Sequence, residues 1–134
     1  MFALDECLAY KVLDSGDRAQ TQGPLDNGDY KCDKTLSAGW YRFTGNAGTN
    51  MATSCVKRFH CGTHSTGWMN DTLPSLAEGS VARQVCFNWN GHCCHWQITA
   101  LVRNCGGFHV YNLKKPPNCR LRYCGNGVQG RTEV

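Results

Sequence analysis

The sequence predicts a small β-rich domain stabilised by disulfides, built from antiparallel hairpins and many loops with little helix. Three observations carry that prediction. Ten of the 134 residues are cysteine, a density that fits an oxidising compartment where bridges persist. Fifteen are glycine and polar residues crowd most of the chain, so the apolar core is thin and cross-links must supply part of the stability. Each bridge typically contributes roughly 2–4 kcal/mol by restricting the unfolded chain. The apolar residues that do occur alternate with period two, as in half-buried strands, and no stretch shows convincing helical spacing.

Residues 7–31 hold few apolar side chains and two turn signals, Asp14-Ser15-Gly16-Asp17 and Asp26-Asn27-Gly28-Asp29. They are expected to form short strands or an irregular arm anchored by Cys7. Gly39-Trp40-Tyr41-Arg42-Phe43 has strand character, and Thr44 to Gly48 follows as a loop. Residues 55–80 read mostly as loop, with a short helix at Thr72–Glu78 left open. From Ser80 to Trp89, Val81, Arg83, Val85 and Phe87 alternate with Ala82, Gln84, Cys86 and Asn88. Trp96, Ile98, Ala100 and Val102 repeat the pattern. Between them Asn90-Gly91 favours a two-residue type I′ turn, which predicts an antiparallel hairpin of residues 80–89 and 96–104, its loop widened by Cys93-Cys94. Residues 107–113 form another strand in or near the same sheet. Pro116-Pro117 ends it, because proline cannot donate to a ladder, and Arg120 to Cys124 makes a short closing strand. The expected organisation is a single domain over 1–124 and a flexible tail over 125–134.

Cys7, Cys32, Cys55, Cys61, Cys86, Cys93, Cys94, Cys105, Cys119 and Cys124 are even in number, so all ten can pair. Five bridges allow on the order of a thousand connectivities, and the sequence does not choose among them. Cys93 and Cys94 are expected to take different partners, since a bridge between neighbours strains the peptide joining them. Cys61-Gly62-Thr63-His64 and Cys93-Cys94-His95 invite a zinc reading, but no Cys-x-x-Cys pair occurs and adjacent cysteines serve one tetrahedral ion poorly. Asp26 to Asp29 falls short of a full calcium loop. Ser54, Ser65, Ser75 and the five histidines lie in no recognisable catalytic setting, so no enzyme, metal or cofactor is expected.

The net charge of +4, from 14 basic and 10 acidic residues, is too mild and too scattered for a nucleic-acid binder. No run of 18 apolar residues suggests membrane insertion. Met1 to Glu6 is too short and acidic for a signal peptide. A secretory leader is therefore expected to have been removed, with Met1 a processing artefact, and the chain is expected to be secreted or on the extracellular face of the cell.

Cys32-Asp33, Gly39 to Gly45, Cys61-Gly62-Thr63-His64, Trp68-Met69-Asn70-Asp71-Thr72, Gly91-His92-Cys93-Cys94-His95-Trp96, Cys105 to Leu113, Pro116-Pro117-Asn118-Cys119 and Arg122-Tyr123-Cys124 together resemble the cysteine-rich domain, with eight or ten cysteines, of uromodulin. The pancreatic zymogen-granule membrane glycoprotein and the liver-specific zona-pellucida-domain-containing protein carry the same kind of domain. The resemblance runs from Cys7 to Cys124. It implies a compact β-rich module of an extracellular glycoprotein, part of a decoy whose mannose-rich glycans are bound by adhesins on bacterial fimbriae. Its zona pellucida and epidermal growth factor-like parts have no counterpart here, so filament formation does not carry over.

Asn70-Asp71-Thr72 is the chain's one Asn-x-Thr acceptor triplet, and the resemblance implies a glycan on Asn70. Relatives often read Asn-Gly-Thr-His-Pro there, whereas this chain reads Asn70-Asp71-Thr72-Leu73-Pro74, with a charge beside the acceptor. Trp68, Asn70 and Asp71 are the candidate ligand contacts; Trp68 either offers its indole to a partner or packs against a disulfide. The expected role is an extracellular interaction module that presents a glycan, in adhesion or innate immunity. Expected partners are glycans, glycan-binding proteins such as microbial adhesins, and other extracellular domains. The alternative is a lectin that binds carbohydrate itself.

Overall fold

The computed structural model describes residues 5–127. Its seven strands are β1 (Lys11–Leu13), β2 (Gly39–Phe43), β3 (Ser65–Met69), β4 (Ser80–Trp89), β5 (His92–Asn104), β6 (His109–Leu113) and β7 (Leu121–Tyr123). They form one mixed sheet in the order β1-β2-β6-β5-β4-β3-β7. The outermost pairs, β1 with β2 and β3 with β7, are parallel, and every inner pair is antiparallel.

The hairpin predicted from alternation is β4–β5. Asn90 and Gly91 take φ of 53° and 84°, the left-handed pair that a type I′ turn needs. The ladder runs from Ser80↔Arg103 to Phe87↔Trp96, then resumes at Trp89↔His92. The vicinal cysteines therefore do not widen the loop, which keeps two residues. Cys93 to His95 oppose Asn88 alone, in a bulge that absorbs the extra chain, and β5 starts at His92 rather than Trp96. Residues 109–113 pair with β5 as expected and also with β2.

Residues 55–80 contain a strand where loop was expected. All five residues of β3 are buried, because both faces of the sheet are covered there, so no alternation marks it. Gly67 permits the fit: a Cβ on it would stand 2.7 Å from Phe87 Cε1 and 2.9 Å from the Arg122 carbonyl oxygen. On one face Met69, Val85, Phe87, Val102, Tyr111 and Tyr123 join the main core; on the other, Trp68, Ala52, Val56, Cys61, Cys86 and Cys124 form a smaller one. The helix left open at Thr72–Glu78 is a single 3-10 turn over Leu76–Glu78, closed by a reciprocal Ser75–Glu78 capping box.

The sheet curls until its edges meet. Leu13 from one edge and Leu121 and Tyr123 from the other share the main core. Gly125, just past β7, bridges both Ala19 and Met51, and any Cβ there would collide with the Ala47 carbonyl. Residues 125–127, placed in the expected tail, are thus bonded into the fold. The Gly125 N–H donates to Arg18 O at 2.9 Å, Asn126 N–H to Asn50 O at 2.8 Å and Gly127 N–H to Ala47 O at 3.0 Å; the rest of that segment lies outside the described residues. A buried polar seam lies here. Arg18 forks onto Asp33 at 2.6 and 3.0 Å and donates to Tyr123 O at 2.9 Å, while Asp33 also accepts from Tyr123 N–H. Arg122 reaches Asp17 and Cys61 O, both at 3.0 Å.

Four disulfides tie the fold: Cys7–Cys105, Cys55–Cys93, Cys61–Cys124 and Cys86–Cys94. Cys93 and Cys94 have different partners. Cys32 and Cys119 are unbonded, with Sγ atoms 3.1 Å apart.

A candidate glycan-bearing corner

Asn70 sits one residue past β3, where the chain leaves the core. Its backbone is fixed before it emerges: Met69 N–H donates to Ala52 O at 2.8 Å and Asn70 N–H to Gln84 O at 3.0 Å. The side chain is exposed, and its Nδ2 donates to Gln84 Oε1 at 3.0 Å. Gln84 in turn bonds across the hairpin to Gln97. An N-glycan replaces one of the two Nδ2 hydrogens, and the other still serves the bond to Gln84. The amide therefore stands on a two-residue polar platform above β4 and β5.

Asp71 and Thr72 are exposed too. Asp71 Oδ1 accepts from Thr72 N–H at 2.9 Å and lies 3.7 Å from Arg83 Nε, which donates to Thr72 O at 2.8 Å. Arg83 also reaches Glu78 at 3.4 Å. Leu73 points partly outward, at 36% exposure. Pro74 is buried, and its carbonyl accepts from Asn104 Nδ2 at 3.2 Å and His109 Nε2 at 3.3 Å. The acceptor triplet is thus an exposed loop pinned at both ends, as transfer of a glycan to folded protein requires. Gln84 and Arg83, the residues that hold it, went unremarked in the sequence. The available signal was their place in β4: Gln84 follows Arg83 on the opposite face, and only the β3–β4 register brings both to the acceptor triplet.

Trp68, the other candidate contact, is turned inward. At 8% exposure it packs with Cys61, Cys86 and Cys124, and its indole N–H donates to Cys93 O at 2.8 Å. The ring thus braces the disulfides instead of facing a ligand. The cysteines of the two zinc-like motifs sit in disulfides, and among the described residues no three His, Cys, Asp or Glu side chains gather as a metal site would need. Asp26 to Asp29 form an exposed turn in which Asn27 Oδ1 caps Asp29 N–H at 3.0 Å. Ser65 is buried and donates to Asn88 O at 2.7 Å. His64 is half-buried, and burial, with the charge of Arg120, lowers its pKa.

The uromodulin-like cysteine-rich domain family matches residues 41–125. Rat uromodulin is 42% identical over 132 residues, covering 96% of this chain and 20% of that protein. The pancreatic secretory granule membrane major glycoprotein GP2 is 43% identical over 121 residues in the dog and 41% in the human protein, each covering 90% of this chain. The chain spans about a fifth of the length of these relatives. Among the described residues no helix is long and apolar enough to cross a membrane.

Proposed function

The chain belongs to the uromodulin-like domain family, as an extracellular disulfide-stabilised glycoprotein module, and from that premise we propose that its task is to present a glycan on Asn70 to a carbohydrate-binding partner such as a microbial adhesin. The observation that carries the reading is the setting of Asn70. An exposed acceptor amide stands at the end of a strand buried along its whole length. A sugar there projects from a base that loses little conformational entropy when a second protein docks. The recognition chemistry then belongs to the partner, and the reading assigns this chain no catalysis.

The test pairs occupancy with binding. Protein made in an animal secretory pathway should lose mass on treatment with an N-glycan amidase, and Asn70→Gln protein should not. A mannose-specific fimbrial adhesin should bind the glycosylated form and neither the Asn70→Gln nor the deglycosylated form. Adhesin binding that survives loss of the glycan would sink the reading.

A further inference from the structure

Aromatic rings and cations gather at the closed end of the β4–β5 hairpin. Trp89 packs edge-on to Phe59 with ring centroids 6.1 Å apart. The Arg58 guanidinium lies 5.2 Å from the Phe59 centroid and 5.8 Å from that of Trp89, and donates to Asn90 Oδ1 at 3.3 Å. A hollow of about 600 Å³ opens among Lys57, Arg58, Phe59, Asn88 and the Asn90-Gly91 turn. A second, of about 300 Å³, is lined by Trp89, Trp96, Asn118 and Arg120, with Ser65 at its floor. Trp89 joins the two, since it lines the second and packs on the walls of the first.

Two independent features mark this surface as a ligand site. Asn88 is 7% exposed, and its Nδ2 donates to Val56 O at 2.8 Å, yet its Oδ1 has no partner. A buried acceptor without a donor is unfavourable, and this one belongs to a residue lining the larger hollow. The charge is also one-sided. Lys57, Arg58 and Arg120 make no ion pair among the described residues, and neither hollow is lined by Asp or Glu. The disulfides Cys55–Cys93 and Cys86–Cys94 hold the flanking chain in place, so the surface is formed before a ligand arrives.

We propose that this hairpin end binds a sulfated oligosaccharide. Three cations spread over two hollows call for a ligand with repeated anionic groups, and sulfates on successive sugars provide them. The rings of Phe59, Trp89 and Trp96 offer faces and edges to the apolar side of a pyranose, and a sugar hydroxyl supplies the donor that Asn88 Oδ1 lacks. The stacked Arg58 guanidinium is planar and preorganised for an oxyanion, which a lysine ammonium is not. The glycan on Asn70 has no part in this inference, and unglycosylated protein suffices to test it.

The probe is a heparin-derived octasaccharide, titrated calorimetrically into disulfide-intact protein at physiological ionic strength. Lys57→Gln/Arg58→Gln should weaken binding at least tenfold. Lys114→Gln/Lys115→Gln removes the same charge from exposed positions elsewhere and should weaken it less than twofold. Arg58→Lys should lie between, because it keeps the charge and loses the planar stack. The chemically desulfated octasaccharide and a sialic acid oligomer should not bind. Equal losses from the two double variants would reduce the effect to net charge and overturn the proposal. So would equal binding of the desulfated or sialylated probe, or no binding of heparin by the parent protein.

Discussion

Along the β4–β5 hairpin the buried groups are Val85, Phe87, Ala100 and Val102, and the ladder joins residues close in the chain. Where the sheet's edges meet, the buried groups include Arg18, Asp33 and Arg122, and their contacts span up to 105 residues. The hairpin rests on apolar area and local turn chemistry, whose favourable terms are non-directional and forgiving. The seam rests on charges withdrawn from water, which are tolerable only while every partner stays in place. At Arg122 burial lowers the pKa, the charge of Arg18 adds to that, and Asp17 and Asp33 oppose it. The two regions should therefore answer mutation differently: the hairpin in small steps, the seam abruptly.

The largest effect is expected at Asp33. Asp33→Ala strands the Arg18 guanidinium, whose side chain is 9% exposed, and should cost about 3–5 kcal/mol of unfolding free energy in urea. The double variant Arg18→Met/Asp33→Leu should recover most of that, since it removes both charges. A double variant as unstable as the single one would show that the pair itself, not the uncompensated charge, holds the seam.

Next comes the near pair beside the seam. Cys32 and Cys119 stand close enough that oxidation is expected to add a fifth bridge. Secreted protein should then show an intact mass ten hydrogens below the fully reduced value, one for each cysteine, and no alkylation. Cys119→Ser should cost about 2–4 kcal/mol. Two alkylated thiols in the native protein would remove this staple.

At the hairpin the expected step is smaller. Asn90→Ala puts a Cβ residue without a local hydrogen-bonding side chain into a left-handed conformation and should cost about 1–2 kcal/mol, with the strands still paired by amide exchange. The smallest change at neutral pH should come from Asp17→Asn, because the Asp17 side chain is 24% exposed. Burial alone would raise the Asp17 pKa, but hydrogen bonds from Lys31 and Ser15, with the charge and hydrogen bond of Arg122, hold it well below the usual carboxylate range. A depressed folded-state pKa stabilises above the unfolded value, near 3.8, and that contribution fades as the pH falls toward the folded value. The parent should therefore lose its advantage over Asp17→Asn in acid unfolding below about pH 4. A difference unchanged down to pH 2 would contradict the assignment.

How much of this was legible in the sequence follows from the same contrast. The β4–β5 hairpin announced itself through Val81 to Phe87, Trp96 to Val102 and the Asn-Gly turn, because one face is buried along most of it and the turn residues have a local reason to be there. Ser65 to Met69 gave no such sign, since a strand covered on both faces does not alternate. Arg18 and Asp33 read as ordinary polar residues of an irregular arm; only the curl of the sheet, set by contacts far apart in the chain, turns them into a core. Asn70 was visible as a triplet, but its support on Gln84 and Gln97 was not, for that depends on the β3–β4–β5 register. Trp68 was visible as a large ring with two candidate roles, and the covering segment at Ala52 and Val56 decided between them.

The Cys7–Cys105 bridge has a mechanical consequence. Pulled between Cys7 and Cys124, an uncrosslinked chain would unravel to roughly 400 Å at about 3.4 Å per residue. With the bridge closed, tension passes from Cys7 straight to Cys105 and loads only the stretch from Cys105 to Cys124, which extends to about 70 Å at the same rise. Everything between residues 7 and 105, including the Asn70 corner and the hairpin end, lies outside the force-bearing path. Tension applied at those two cysteines, as when a tethered particle drags on an extracellular protein, would be carried by β6, β7 and their connection, leaving the rest of the covalent chain unloaded.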